Sequence, residues 1–201
     1  MRERLARLRA KMSEKGLEAL LISHPVNRRY VTGFAGTAGM VLVTEKDAVL
    51  VTDFRYVTQA KQQAPHFEVL RHDGDIFRAV ADLCHRLGIK TLAFEQDHLT
   101  YGESVKLRKS LGDTETLPVS NVVESLRAVK DEGERDLIRK AAAIADRTFD
   151  RILEEIRPGR TEREIALRLE LLMREMGADA SAFDIIVASG PRSALPHGVA
   201  S

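Results

Sequence analysis

Two kinds of apolar pattern alternate along residues 1–120 of the chain. Apolar residues recur at the three- or four-residue spacing of amphipathic helices around residues 5–12, 56–63, 76–87 and 101–111. Short apolar runs typical of buried strands lie at residues 18–23, 40–44, 48–52, 67–70, 91–94 and 116–119. The polar stretch 45–47 between two of these runs suits a hairpin turn. Because helices alternate with strands and one strand pair is a hairpin, we predict an α/β layer with a mixed sheet.

The pattern becomes strongly helical from Glu134 onward. Thr161 and Glu164 form a T-x-x-E capping box, which predicts the start of a second helix. A later apolar run, Asp184 to Ser189, predicts a strand. The apolar face of the first helix is predicted at Ile138, Ala141, Ala145, Phe149, Ile152 and Ile156. The stripe of the second helix is predicted at Ile165, Leu169, Leu172 and Met176.

This change of pattern predicts two domains. We place the boundary near residues 121–133, with an N-terminal domain at 1–125 and the beginning of a second domain at 126–201. Two helices and one strand are too little to bury their own apolar faces as a separate domain, so we expect the second domain to be incomplete.

Composition narrows the class of protein. The 201 residues include 31 Lys and Arg against 30 Asp and Glu, and this balance argues against a nucleic-acid-binding protein. The apolar runs are too short to span a membrane, and the N-terminal residues do not resemble a signal peptide. The single cysteine, Cys84, lies in an amphipathic helix and is predicted to be a small buried apolar side chain. A cytoplasmic location fits these features.

Three segments were candidates for chemistry. His72 to Asp75 lacks the oxygen ligands of a calcium loop, and Asp75 is better explained as a helix N-cap. Gly33 to Gly39 is rich in glycine but lacks the order of a phosphate-binding loop. Ser189 to His197 follows the last predicted strand, where binding residues often lie. His197 at the end of this segment could either transfer a proton during amide hydrolysis or be an ordinary hydrogen-bonded surface histidine.

Five segments, in order along the chain, resemble motifs of the Xaa-Pro aminopeptidase and Xaa-Pro dipeptidase (prolidase) family. Asn27–Phe34 resembles N-x-x-Y-x-T-G-F, and Thr52–Tyr56 resembles T-D-x-R-Y, both from the creatinase-type N-terminal domain. Arg127–Asp131 and Pro158–Glu164 resemble the R-x-x-K-D/S and P-G-x-T-E-x-E segments of the pita-bread domain. Phe183–His197 resembles the F-D-x-I-V-A-S-G…P-H stretch of Xaa-Pro peptidases.

This resemblance implies a creatinase-like N-terminal domain with a mixed sheet and covering helices, followed by the incomplete start of an α+β pita-bread metallopeptidase domain. It implies hydrolysis of the bond between an N-terminal residue and proline in a peptide substrate. Family members hold two divalent ions, commonly manganese, through two Asp, one His and two Glu, and a water bridging the ions is the nucleophile.

The resemblance also implies roles for particular residues. His197 matches the family histidine that is not a metal ligand and assists the reaction at the substrate. Phe34 and Thr37 fall in a loop that, in related creatinases, reaches the active site of the partner subunit, so we expect substrate-binding roles and a homodimer. All family metal ligands lie beyond the position of His197, so we expect no metal site and no activity in this chain alone.

Two other functions remain open from the sequence. The chain could belong to the metal-independent creatinases, which hydrolyse a small guanidino compound on the same fold. It could also be a non-catalytic creatinase-like module that binds peptides or subunits. Acidic residues in the order of the peptidase ligands, further along the sequence, would favour the peptidase over both.

Overall fold

A computed structural model describes residues 1–200 of the chain. The chain divides into two compact units: an N-terminal unit, Met1–Val129, and a C-terminal unit, Lys130–Ser201. The predicted limit of an independently folding domain at residue 125 stays a prediction. In the structure this position lies inside a short helix, Val123–Ala128.

The N-terminal unit is built on a six-stranded sheet, which confirms the predicted mixed sheet. The strand order is β4-β3-β2-β1-β5-β6. β1 is antiparallel to β2, and β2 is antiparallel to β3, as expected for the hairpin. The other three neighbouring pairs are parallel. The strands are β1 (Ala19–Ile22), β2 (Met40–Thr44), β3 (Ala48–Asp53), β4 (Glu68–His72), β5 (Thr91–Glu95) and β6 (Glu115–Val119).

Helices cover both faces of this sheet. They are α1 (Arg2–Glu14), α2 (Pro25–Thr32), α3 (Val57–Gln63), α4 (Ile76–Leu87), α5 (Tyr101–Leu111) and α6 (Val123–Ala128). Because side chains alternate along a strand, Leu20 of β1 belongs to an apolar cluster with residues of α1, α2, α3 and α6, whereas Leu21 belongs to a second cluster with residues of α4 and α5. The sheet therefore lies between two apolar clusters, and its four central strands are buried on both faces.

Local sequence signals account for the limits of α4. The Asp75 side chain accepts a hydrogen bond from the Phe77 amide, which confirms the predicted N-cap, and Gly88 ends the helix in the left-handed conformation. Cys84 is buried in this helix, as predicted, and burial raises the pKa of its thiol to about 12. The thiol is therefore protonated at neutral pH.

Helix α2 is not among the helices predicted from the sequence. Pro25 is the first residue of the helix, a position that tolerates proline because its N–H has no helical partner. Gly33 follows the helix in the left-handed conformation, with φ of 83°. A proline at the start and a glycine just past the end were the signals that could have revealed this helix.

The C-terminal unit consists of α7 (Glu132–Leu153), α8 (Glu162–Glu175) and a short 3₁₀ helix, Gly190–Ala194. The predicted capping box is confirmed: the Glu164 amide donates to the Thr161 hydroxyl, and the Glu164 carboxylate accepts from the Thr161 amide. The predicted stripe of α8 is confirmed, and its residues form one apolar cluster with Ile152 of α7. Most of the apolar residues predicted for the face of the first helix of this unit are exposed, as expected if two helices are too few to bury them; these are Ile138, Ala141, Ala145, Phe149 and, beyond the end of α7, Ile156.

The predicted strand at residues 184–189 is wrong, because the structure assigns no strand there. A strand requires a neighbour that accepts and donates its backbone hydrogen bonds. Within residues 130–200 no other strand is present to do so. The Ser189 amide instead donates to the carboxylate of Glu162, at 2.8 Å.

Candidate functional site

The segment between α2 and β2, Gly33 to Gly39, forms a loop that we call the glycine loop. Its first residues are held by the end of α2: the Gly33 amide donates to the Arg29 carbonyl at 2.8 Å, and the Phe34 amide donates to the Thr32 hydroxyl at 2.9 Å. The next amide, that of Ala35, donates to the side chain of Gln63 at 2.9 Å. The loop therefore begins in a conformation set by side chains of α2 and α3.

Phe34 anchors the middle of the glycine loop from inside. Its ring is fully buried, with an exposed fraction of 0%. The Tyr56 ring meets it edge-on, with 5.9 Å between the centroids. A Cβ atom at Gly36 would lie only 2.2 Å from the Phe34 ring, so position 36 admits glycine alone in this conformation. The aromatic ring thus packs directly beneath the loop backbone.

Arg28 holds the far part of the glycine loop. Its guanidinium group donates to the carbonyl oxygens of Gly36 and Gly39 and lies 5.4 Å from the centroid of the Phe34 ring. Only 2% of Arg28 is exposed. Burial lowers the pKa of the Arg28 guanidinium. Arg28 therefore holds the glycine loop from the interior of the N-terminal unit.

The T-D-x-R-Y motif completes the support of the glycine loop. The Thr52 hydroxyl donates to the Ala38 carbonyl at 2.8 Å, and the hydroxyls of Thr37 and Tyr56 share a hydrogen bond of 2.6 Å. At the end of β3, Asp53 accepts two side-chain hydrogen bonds from Arg55, which lower the pKa of Asp53 to about 2. The first two family motifs thus form one structural unit around the loop.

A polar cluster that sequence reasoning missed lies at the other end of α2. The buried Glu95 carboxylate, at the end of β5, accepts hydrogen bonds of 2.7 Å from the amides of Ser23 and His24 and from the side chain of Asn27. Arg127 in turn donates to the Asn27 side chain at 2.9 Å. A carboxylate suits this position because it lies beside the positive end of the α2 dipole and accepts from the two amides that precede the helix. The side chain of Asn27, the first residue of the first motif, links Glu95 to Arg127.

The third candidate region lies in the C-terminal unit, around the 3₁₀ helix. Glu162, in the first turn of α8, pairs with Arg192 at 3.3 Å in addition to its bond with the Ser189 amide. Arg192 also donates to the Val199 carbonyl at 2.7 Å. His197 lies within this closed loop and is exposed. Its imidazole is therefore available to a ligand.

No group of three or more His, Cys, Asp or Glu side chains with the geometry of a metal site occurs within residues 1–200. Residues 1–200 by themselves therefore do not form a dinuclear metal centre. Over the same residues, no helix combines the length and apolar character needed to cross a bilayer.

Comparison with protein families assigns both parts of the chain. Residues 4–129 match the creatinase/prolidase N-terminal domain, and residues 136–201 match metallopeptidase family M24. The chain belongs to the creatinase/prolidase family. The first match covers the whole mixed sheet, the glycine loop and the Glu95 cluster, and so confirms the family and fold class that the motifs indicated.

Individual relatives agree with this assignment. The chain is 44% identical to an uncharacterized peptidase of Bacillus subtilis over 98% of its own length, and 36% identical to an Xaa-Pro dipeptidase of Pyrococcus horikoshii over 100% of it. Among solved structures it is similar to an Xaa-Pro dipeptidase from Bacillus anthracis, with a TM-score of 0.94, 48% identity and 99% of this chain covered. An X-Pro aminopeptidase from Thermotoga maritima gives a TM-score of 0.86, with 39% identity over 96% of the chain. In each of these four matches the chain spans 56% of the relative's length.

The predicted site residues lie in both units. Phe34 and Thr37 belong to the glycine loop, where Phe34 is buried and Thr37 is exposed. His197 lies in the loop tied to α8 by Glu162. The roles assigned to these residues stay predictions.

Proposed function

We propose that this chain supplies the N-terminal part of a metal-dependent peptidase that cleaves the bond between an N-terminal residue and proline. The observation that carries the proposal is the match over nearly the whole chain to relatives named Xaa-Pro dipeptidase, together with the match of residues 136–201 to a metallopeptidase family. Within residues 1–200 no metal site is formed, so the proposal assigns the metal ligands to the part of the relatives that this chain does not match. Manganese is the metal we propose.

We propose His197 as the residue that transfers a proton at the substrate. Cleavage of a peptide bond before proline requires protonation of the departing ring nitrogen, and a histidine is suited to this because its ordinary pKa lies near neutrality. The exposed position of His197 supports the proposal, because a buried imidazole could not meet a peptide. The ion pair between Glu162 and Arg192 would hold the loop that carries His197 in place during proton transfer.

The glycine loop is proposed to contact substrate in a second copy of the chain. The exposed hydroxyl of Thr37 could donate or accept a hydrogen bond there, and Phe34 would act from beneath the loop because its ring is buried. A homodimer follows from this arrangement as part of the proposal. A cytoplasmic location is also proposed, supported by the single buried thiol of Cys84, which leaves no intrachain disulfide.

A chimera tests the proposed function directly. Residues 1–200 would be followed by the segment of the Bacillus anthracis dipeptidase that lies beyond the matched region. We expect the chimera to bind manganese and to cleave Ala-Pro but not Ala-Ala, whereas the 201-residue chain alone should do neither. A folded, manganese-loaded chimera without Xaa-Pro cleavage would instead favour a non-catalytic module.

The same chimera tests the role of His197. We expect His197→Ala to lower turnover by about 10²- to 10⁴-fold, the usual contribution of a positioned acid or base, without changing the metal content. His66→Ala is the matched control, because His66 is an exposed histidine of the N-terminal unit. Loss of metal in His197→Ala would contradict a role at the substrate.

A further inference from the structure

The guanidinium group of Arg28 is buried without a carboxylate partner within residues 1–200. Its hydrogen-bond acceptors are the backbone carbonyls of Gly36 and Gly39, and its Nε–H group has no acceptor there. Burying a cation and leaving one of its donors unpaired both cost free energy. A simple apolar residue at this place would avoid that cost, so core packing alone does not account for an arginine.

The planar shape of the guanidinium explains what the arginine can do here. Its two terminal nitrogens diverge in a rigid fork, so one side chain can hold Gly36 and Gly39 at a fixed separation. A lysine carries the same charge as a single point and has no such fork. The stack on Phe34 restricts the guanidinium further. Arg28 therefore sets the distance between two carbonyls of the glycine loop.

The rest of the loop is anchored residue by residue. Bonds from α2, α3 and β3 hold the positions that Arg28 does not reach, as described above. Only Ala35 and Thr37 are exposed, while the buried Phe34 and Gly36 point into the unit. The loop thus offers a small, uncharged surface made of a methyl group and a hydroxyl.

We propose that Arg28 is a positioning residue, whose fork holds the glycine loop in one preformed conformation that presents Ala35 and Thr37 outward. The consequence for catalysis rests on the proposed function: a rigid loop with small side chains would limit the space beside a bound peptide in the second copy. In this arrangement Phe34 supports the loop from inside, and Thr37 is the residue that meets the ligand.

Hydrogen exchange on the 201-residue chain tests the proposal without any activity. In Arg28→Lys, which keeps the charge but loses the fork, we expect the hydrogen-bonded amides of Phe34 and Ala35 to exchange about tenfold faster or more, because the loop loses a charge-assisted hydrogen bond that holds it in place. Amides of β1 and β5 should be unchanged. Arg29→Lys is the control, because Arg29 is the neighbouring exposed arginine of α2. Unchanged exchange of the Phe34 and Ala35 amides in Arg28→Lys would overturn the proposal.

A second variant guards against a general loss of folding. Tyr56→Phe removes only the hydroxyl that pairs with Thr37 and leaves the fork of Arg28 in place, so it should accelerate exchange of the Phe34 and Ala35 amides less than Arg28→Lys does. In an active chimera, Arg28→Lys should raise KM for Ala-Pro by about tenfold with a smaller change in kcat, because ground-state contacts are loosened. Faster exchange with an unchanged KM would contradict a role of the loop in positioning substrate. An inactive parent chimera would count against the proposed function, and the role of Arg28 would then be decided by the hydrogen-exchange result.

Discussion

The two units of this chain bury their apolar residues to very different degrees. In the N-terminal unit, both faces of the sheet are covered and β1 is buried at every position. In the C-terminal unit, the described core is a cluster around Ile152, Ile165 and Leu172, and large apolar residues such as Phe149 are exposed. Secondary structure is well formed in both.

This contrast shows that helices can form without a complete apolar core. α7 and α8 both begin with a capping box and carry pairs of opposite charge along their surfaces, which are local interactions. Local interactions define where a helix begins, but most of the stability of a helix in a protein comes from burying its apolar face. The N-terminal unit has both contributions, and the C-terminal unit has chiefly the first.

The largest expected effect is on independent folding. A fragment of residues 1–129 should unfold cooperatively in urea, whereas residues 130–201 alone should lose structure gradually. Circular dichroism and the fluorescence of a dye that binds exposed apolar surface would follow the unfolding of the two fragments. A cooperative transition in the 130–201 fragment would contradict the inference that the C-terminal unit has too small a core to fold alone.

The limit of the N-terminal unit can be sharpened with a shorter fragment. We expect a fragment of residues 1–125 to fold, and to be less stable than 1–129 by about 1–3 kcal/mol, because it lacks the bond of Arg127 to Asn27 and that of Tyr30 to the Leu126 carbonyl. Absence of a cooperative transition in 1–125 would reject the boundary predicted from the sequence.

A matched pair of core substitutions gives the next largest effect. Leu42→Ala, in the middle of β2, should reduce the free energy of unfolding by about 2–5 kcal/mol, because the closed core cannot collapse around the lost atoms. Leu172→Ala in α8 should cost less, on the order of 1–2 kcal/mol, because its neighbours can relax towards solvent. Native-state hydrogen exchange would assign each loss to its own unit, and equal losses would contradict the difference in packing.

Much of the fold could be predicted because it follows local rules. The hairpin, the Asp75 cap and the Thr161 capping box each depend on residues within a few positions of one another. The strand predicted at 184–189 failed because its apolar run has no strand beside it within the C-terminal unit. Periodicity identifies a side-chain pattern but does not supply a hydrogen-bonding neighbour.

The site was harder to predict, because its supports are distant in sequence. Glu95 reaches Ser23, and Arg127 reaches Asn27, across most of the N-terminal unit. No local spacing links such residues, so the motifs identified the family without revealing why each residue is needed. The burial of Arg28 likewise follows from packing on Phe34 and not from its position in the sequence.

The exposed apolar face of α7 should promote self-association, a smaller effect than the loss of a core. Phe149→Lys should reduce the fraction of associated species in sedimentation velocity, because it places a charge where an apolar side chain is exposed. Asp146→Asn is the control, since it raises the net charge by the same amount on the same helix without removing apolar surface. A chain that is monomeric at all concentrations before any substitution would refute the expectation.

The smallest expected effect concerns two arginine-paired carboxylates, one in each unit, which differ in exposure. Arg55 lowers the pKa of Asp53 from 3.8 to about 2, and in α7 Arg135 and Arg139 lower the pKa of Glu132 through their hydrogen bonds. For Asp53 the pKa is lower in the folded state than in the unfolded state, so its contribution to stability is present above pH 3.8 and is lost as the pH falls towards 2. Carboxyl NMR titration should show the pKa of Asp53 returning towards 3.8 in Arg55→Met, while a variant of His72, a weaker influence, should change it less. The Glu132 side chain is 62% exposed and that of Asp53 only 16%, so added salt should weaken the pKa shift of Glu132 more than that of Asp53. Equal loss of the two shifts in salt would show that the environment of Asp53 is screened like the open surface of α7, and would contradict a difference between the units at these carboxylates.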